Sequence, residues 1–109
     1  MRHIVLFTLQ EGISVDDQGV LEAARLSEEH PRHISEIREW WCGFDVSGRD
    51  IAADFMVMGV FDSTDALDRY MAHAHHRQGV RAWREVAEWK VIDVDEDVAR
   101  TTRRRGAGE

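Results

Sequence analysis

Two short runs in this chain are apolar at almost every position, and each is flanked by polar turn residues. Arg2 to Leu9 reads Arg-His-Ile-Val-Leu-Phe-Thr-Leu, and Ala52 to Phe61 reads Ala-Ala-Asp-Phe-Met-Val-Met-Gly-Val-Phe. Both are rich in β-branched and aromatic residues and too short for a lone core helix, so both are expected to be strands. Successive side chains of a strand point to opposite faces. In the first run His3, Val5, Phe7 and Leu9 face one way, and Ile4, Leu6 and Thr8 the other. Both faces are mostly apolar, so both are expected to be buried.

The segments between and beyond these runs have their own punctuation. Glu11-Gly12 breaks the first strand, and Ser14 or Asp16 can cap a helix running to about His30. Val20, Leu21, Ala24 and Leu26 form its modest apolar stripe, and Pro31 is expected to stop it. Ile34 to Val46, with Ile37, Trp40, Trp41 and Phe44, reads as a second strand, and Gly43 inside it suggests a bulge or a close backbone approach. Ser47 to Asp50 is a turn. Asp62-Ser63-Thr64-Asp65 is a helix start, and the helix is expected over Thr64 to Ala74, with Ala66, Leu67, Tyr70, Met71 and Ala74 on one face. Gly79 is expected to break it before a short helix over Val80 to Val86. Trp89 to Val94 is a fourth strand, and residues 97–109 an Arg-rich tail expected to be disordered.

The resulting order, β-α-β-β-α-β, is the split βαβ pattern of ferredoxin-like α+β folds: a four-stranded antiparallel sheet with its helices on one face. That leaves one apolar sheet face uncovered, which a monomer rarely tolerates. Two copies packing their open faces together, a homodimer, resolve the conflict.

Composition narrows the partners. The chain has 109 residues, enough for one domain, and a formal charge of −7. Four of its 14 basic residues sit in the last eleven positions, so the body is more acidic still. Neither a nucleic acid nor an anionic membrane surface is an expected partner. Cys42 is the one cysteine, so no internal disulfide forms. With no signal-peptide pattern at Met1-Arg2-His3 and no membrane-length apolar run, a cytoplasmic protein is expected.

Arg2-His3-Ile4-Val5-Leu6-Phe7, Asp54, Phe61-Asp62-Ser63, Ala66-Leu67 and Tyr70-Met71-Ala72-His73 together resemble the stress-responsive A/B barrel (Dabb) family over Met1 to about Asp95. The most specific part is Tyr70-x-x-His73-x-x-His76, where Ala74 replaces the usual proline and His75 adds an imidazole. The resemblance implies a ferredoxin-like protomer and a dimeric α+β barrel. Members include plant stress proteins, antimicrobial proteins and polyketide cyclases that close a ring by intramolecular aldol condensation. Tyr70, His76 and His3 match the cyclases' tyrosine, histidine and first-strand pocket histidine, whereas Asp54-Phe55 stands where their third-strand histidine lies.

Tyr70 and His73 share a helix face, with His76 one turn on if the helix continues. An imidazole near its free pKa can take a proton at neutral pH, and a phenol can donate one to a developing oxyanion. Tyr70, His76 and His3 are therefore the candidate catalytic residues, and His73, Asp54, Phe7 and Trp83 further candidates for binding. The ligand expected is small, apolar or aromatic. Asp54 has a second reading, as a strand-start residue bonded to a turn or an Arg. No metal is expected from His73, His75 and His76, because adjacent His75 and His76 diverge on a helix and no acid or cysteine lies beside them. No cofactor is expected, since there is no Gly-rich phosphate loop. Two other readings stay open: a non-catalytic stress or structural dimer, and a monooxygenase-like member of the wider dimeric α+β barrel superfamily.

Overall fold

A computed structural model describes residues 1–98 and 100–102. Four strands, β1 (Arg2–Leu9), β2 (Glu39–Phe44), β3 (Phe55–Val60) and β4 (Ala87–Val94), form one antiparallel sheet in the order β2-β3-β1-β4. Three helices, α1 (Gln18–His33), α2 (Thr64–Ala72) and α3 (Ala74–Arg84), complete the order β-α-β-β-α-α-β. This is the ferredoxin-like arrangement, with the second helical segment split in two. None of the described helices is long and apolar enough to cross a membrane.

Alternation along β1 sorts the core. Val5 and Phe7 are buried with Phe55 and Val57 of β3 against Val20, Ala23 and Ala24 of α1 and Trp83 of α3. A second cluster joins Ile34, Phe61, Ala66, Leu67 and Tyr70 under α2. On the opposite sheet face, Ile4, Leu6, Met56, Met58, Trp41 and Ile92 follow from the same registers. Leu6 is 44% exposed, Trp41 46% and Ile92 57%. The sheet thus carries a largely apolar face, interrupted on β4 by Glu88 and Lys90, that its own helices do not cover.

Several local expectations are corrected. Pro31 does not stop α1, which runs on to His33. Proline there lies in the last turn and removes one donor, while the Ile34 N–H still closes onto the His30 carbonyl at 2.9 Å. The cap of α1 is Asp17, whose Oδ1 accepts from the Gly19 N–H at 2.8 Å, rather than Ser14 or Asp16. β2 is shorter than Ile34 to Val46, because Ile34 is buried beneath α2 instead. Gly43 marks no bulge: it pairs in unbroken register with Met56, and a Cβ there would meet nothing within 4 Å. The crowded strand glycine is Gly59, where a Cβ would lie 3.0 Å from the Trp40 ring and 2.8 Å from that of Phe61.

The break in the second helical segment falls at His73, not Gly79. His73 is extended (φ −66°, ψ 140°), and its Nδ1 accepts the His75 N–H at 3.0 Å, capping α3. Gly79 lies inside α3, where it gives the His30 ring room: a Cβ would be 3.0 Å from His30 Cε1 and Nε2. After β4, the Thr101 hydroxyl donates to the Asp95 carbonyl at 2.8 Å, and Arg2 pairs with Glu96. The rest of the Arg-rich tail, residue 99 and residues 103–109, lies outside the described residues.

Candidate functional site

Between the sheet and the helices lies a cavity of about 190 Å³. Val5 and Phe7 of β1, Val57 of β3, and Trp89 and Val91 of β4 form its floor, and Gly79, Val80 and Trp83 of α3 its roof. Phe7 stacks on Trp83 with ring centroids 4.2 Å apart. The Trp83 indole N–H donates to Ser27 Oγ at 2.9 Å, and that hydroxyl donates to the Ala23 carbonyl at 3.1 Å. The apolar wall therefore carries no loose polar atom at Trp83.

Four ionisable rings gather at one end of this cavity: His3, His30, Tyr70 and His76. Each is placed by local structure. His3 shares the alternation of Val5 and Phe7, so β1 turns it under the helices. Tyr70 sits in the last turn of α2, a helix begun by Ser63, whose Oγ accepts the Ala66 N–H at 3.1 Å. His76 lies in the first turn of α3, and the His73 cap swings it back over α2, so that its ring centroid is 4.5 Å from that of Tyr70.

The protonation chemistry follows from the partners. His76 Nδ1 is 3.0 Å from the Met71 carbonyl, one of the α2 carbonyls left without a helical donor. A carbonyl only accepts, so Nδ1 donates and Nε2 keeps the lone pair. Burial holds the His76 pKa below the ordinary imidazole value, helped by His3 and His73 and opposed by the Met71 bond. His76 is thus a neutral imidazole with an available base nitrogen.

Tyr70 is 2% exposed, and burial alone, with no hydrogen bond contributing, acts on its phenol. Burial pushes its pKa well above the ordinary phenol value, so it is a neutral donor. His3, 2% exposed, directs Nδ1 at Asp93 Oδ1 across 2.6 Å. The carboxylate accepts, which fixes the ring orientation and leaves Nε2 as the other nitrogen. His30 is buried, with its Nδ1 2.7 Å from His75 Nδ1. Burial, reinforced by the surrounding imidazoles of His75, His76, His73 and His33, lowers its pKa to about 3, so it is neutral.

Tyr70, His76, His3, Phe7 and Trp83 therefore line one cavity. His73 and Asp54 do not join them. The His73 acceptor nitrogen is taken by the His75 N–H, and the Asp54 carboxylate at the foot of β3 accepts the Leu9 N–H at 2.8 Å. Cys42 is a half-buried thiol whose pKa burial pushes up, unsuited to nucleophilic work. Of the three histidines weighed as metal ligands, His73 and His76 are turned to backbone partners, whereas His75 approaches Glu29 and His33.

Two residues that contact this cluster of rings escaped the sequence reading. Asp93 stands opposite His3 in the β1–β4 register, and its signal was its place in the alternation Trp89, Val91, Asp93. His30 sits three residues after the buried Ser27, so the helix periodicity pointed it inward although Pro31 suggested a chain end there.

Fold and cavity define a ferredoxin-like α+β protein with a buried tyrosine–histidine cluster. Residues 1–96 match the Stress responsive A/B Barrel Domain, and the chain belongs to this Dabb family. It is similar to an uncharacterised protein of Streptomyces coelicolor, 38% identical over 95 residues that span 87% of this chain and 98% of that one. Among solved structures, a dimeric ferredoxin-like protein of unknown function from Bacteroides fragilis superposes with a TM-score of 0.74 at 24% identity, covering 86% of this chain and 93% of that one. A hydroxynitrile lyase from Passiflora edulis superposes with a TM-score of 0.68 at 13% identity, covering 89% and 94%. At these identities the superpositions show the fold alone.

Proposed function

We propose that this Dabb protein is a cofactor-independent acid–base catalyst acting beside a carbonyl of a small, ring-sized polyketide-like molecule. The observation that carries this reading is the contact of a buried phenol, Tyr70, with a neutral imidazole, His76, whose Nδ1–H is already spent on Met71 and whose ring centroid lies 4.5 Å from the phenol's. His76 Nε2 takes a proton from the carbon next to the carbonyl, breaking that C–H bond. The electron pair moves onto the carbonyl oxygen, which the Tyr70 hydroxyl stabilises by a hydrogen bond. The enolate carbon then forms the new C–C bond on a second carbonyl of the same molecule, and the His76 imidazolium returns its proton to the alkoxide. His3, oriented by Asp93, assists at the second carbonyl.

Cavity size bears on the substrate. An apolar cavity of about 150 Å³ holds benzene. The present one, about 190 Å³, suits a single ring and has no room for a porphyrin. This favours the cyclase-type reading over the heme-dependent form of a monooxygenase-like one. A protein of the same fold is a hydroxynitrile lyase, so the fold is one that can host an enzyme. We further propose that the protein works as a homodimer through the face of Leu6, Trp41 and Ile92, as the dimeric Bacteroides fragilis neighbour supports.

The first step can be tested without knowing the substrate. Deuterium uptake at the α-carbon of small cyclic and linear diketones is followed by proton NMR. The wild-type chain is expected to accelerate exchange, and His76→Ala to remove about 10²–10⁴-fold of that acceleration. Exchange that is equally fast in His76→Ala and Tyr70→Phe would leave a non-catalytic dimer as the better reading.

A further inference from the structure

We propose that Glu29, His33 and His75 form a binding site for a divalent transition-metal ion of the zinc type, at the outer junction of α1 and α3. One ligand atom from each of the three lies within 4.8 Å of the other two. One carboxylate and two imidazoles are a donor set that zinc accepts, and three protein ligands leave a fourth position for water. Zinc bonds of about 2.0–2.2 Å at tetrahedral angles put donors roughly 3.3–3.5 Å apart, so side-chain rotation alone closes the site.

Sequence spacing and packing both build it. Glu29 and His33 are four apart at the end of α1, on one helix face. His75 comes from the first turn of α3, brought alongside by the His73 cap. The hydrogen bond with buried His30 holds one nitrogen of His75, and the ion takes the other. Such an outer hydrogen bond orients a ligating imidazole and raises its basicity.

Two adjustments accompany binding. The His33 and His75 rings now stack, with centroids 4.1 Å apart and planes 18° from parallel, so their nitrogens lie in nearly parallel planes and one ring must turn for both to meet one ion. His33 is exposed and can swing to converge on the ion. Arg25 pairs with one Glu29 oxygen, yet it also holds both oxygens of Glu22, which keep it neutralised when Glu29 turns to the metal. A bound ion would clip the end of α1 to the start of α3. It would stand one hydrogen bond away from His30, a wall of the cavity.

The test uses the full-length, untagged chain, stripped with EDTA. Cobalt(II) is titrated and its d–d absorption followed, and zinc affinity is measured by competition with a chromophoric chelator. One equivalent is expected to bind and to raise Tm. His33→Ala and Glu29→Gln are each expected to weaken binding by more than the roughly 10–100-fold typical of losing an outer-sphere partner, and to abolish the Tm shift. Both residues lie toward the surface, so both variants should fold. Glu28→Gln, one position along α1, should bind as wild type. No binding by the wild-type chain overturns the site, as does binding that survives His33→Ala and Glu29→Gln combined.

Discussion

His3 and Asp93 face each other across β1 and β4, with Nδ1 of the imidazole 2.6 Å from Oδ1 of the carboxylate. The histidine is buried, while the Asp93 side chain is 43% exposed at the sheet edge. Asp93→Asn should therefore change His3 more than it changes stability. Nitrogen-15 NMR of the imidazoles should show a mixed or reversed His3 tautomer, because an amide can donate as well as accept. The stability loss by urea unfolding should stay at about 1.5 kcal/mol, the lower end for a hydrogen bond to a charged group. An unaltered His3 spectrum would mean that Asp93 does not orient the ring.

Tyr70 allows a clean separation of chemistry from packing. No hydrogen bond contributes to the shift of its phenol, so Tyr70→Phe should cost less than about 1 kcal/mol at pH 7. At alkaline pH the variant should be relatively more stable than wild type. The phenol pKa is raised on folding, so above about pH 10 the unfolded chain has lost a proton that the folded one retains. The unfolded state then binds fewer protons, and wild-type stability falls by up to about 1.4 kcal/mol per pH unit from this group alone. Parallel wild-type and Tyr70→Phe stability curves between pH 9 and about pH 11 would contradict the buried, neutral phenol.

Gly79→Ala tests how firmly His30 is held. Alanine favours a helix over glycine by about 1 kcal/mol. The new methyl would nevertheless lie 3.0 Å from His30, which is buried and bonded to His75. Overpacking of about 1–3 kcal/mol should outweigh the propensity gain, for a net loss of about 1 kcal/mol in urea. A stabilised variant would show that His30 can move aside.

Leu6→Lys addresses the open sheet face. Leu6 lies mid-strand on β1 and is 44% exposed, beside Met56 of β3 in register. Lys90 of β4 already pairs with Leu6 in register, so the substitution sets two like charges side by side on the face that two copies would share, where burial leaves them uncompensated. Light scattering should report a dimer for the wild type and a monomer for the variant. A dimer retained in Leu6→Lys would place the interface elsewhere.

Much of this protein follows from local pattern. The alternation of Val5 and Phe7 against Ile4 and Leu6 is enough to define a two-faced strand, because the side-chain period of a strand is two. Ser63 begins α2 because its hydroxyl meets an orphan N–H three residues on. Tyr70 and His76 are close in sequence, so their meeting needed only a helix turn and a cap. The rest depends on contacts between distant segments. The partner of His3 is 90 positions away, and only the β1–β4 register brings Asp93 to it. The helix continues through Pro31 because α1 is packed along its length, with Ser27 and His30 bonded to α3, and those contacts offset one missing hydrogen bond. Gly79 reads as a breaker in isolation, yet it lies within α3, and the reason for a glycine there is the His30 ring, which occupies the space a side chain would need. Propensity and periodicity act over a few residues and are written in the chain; pairing, burial and the tautomers they impose arise only when the sheet and helices close on one another.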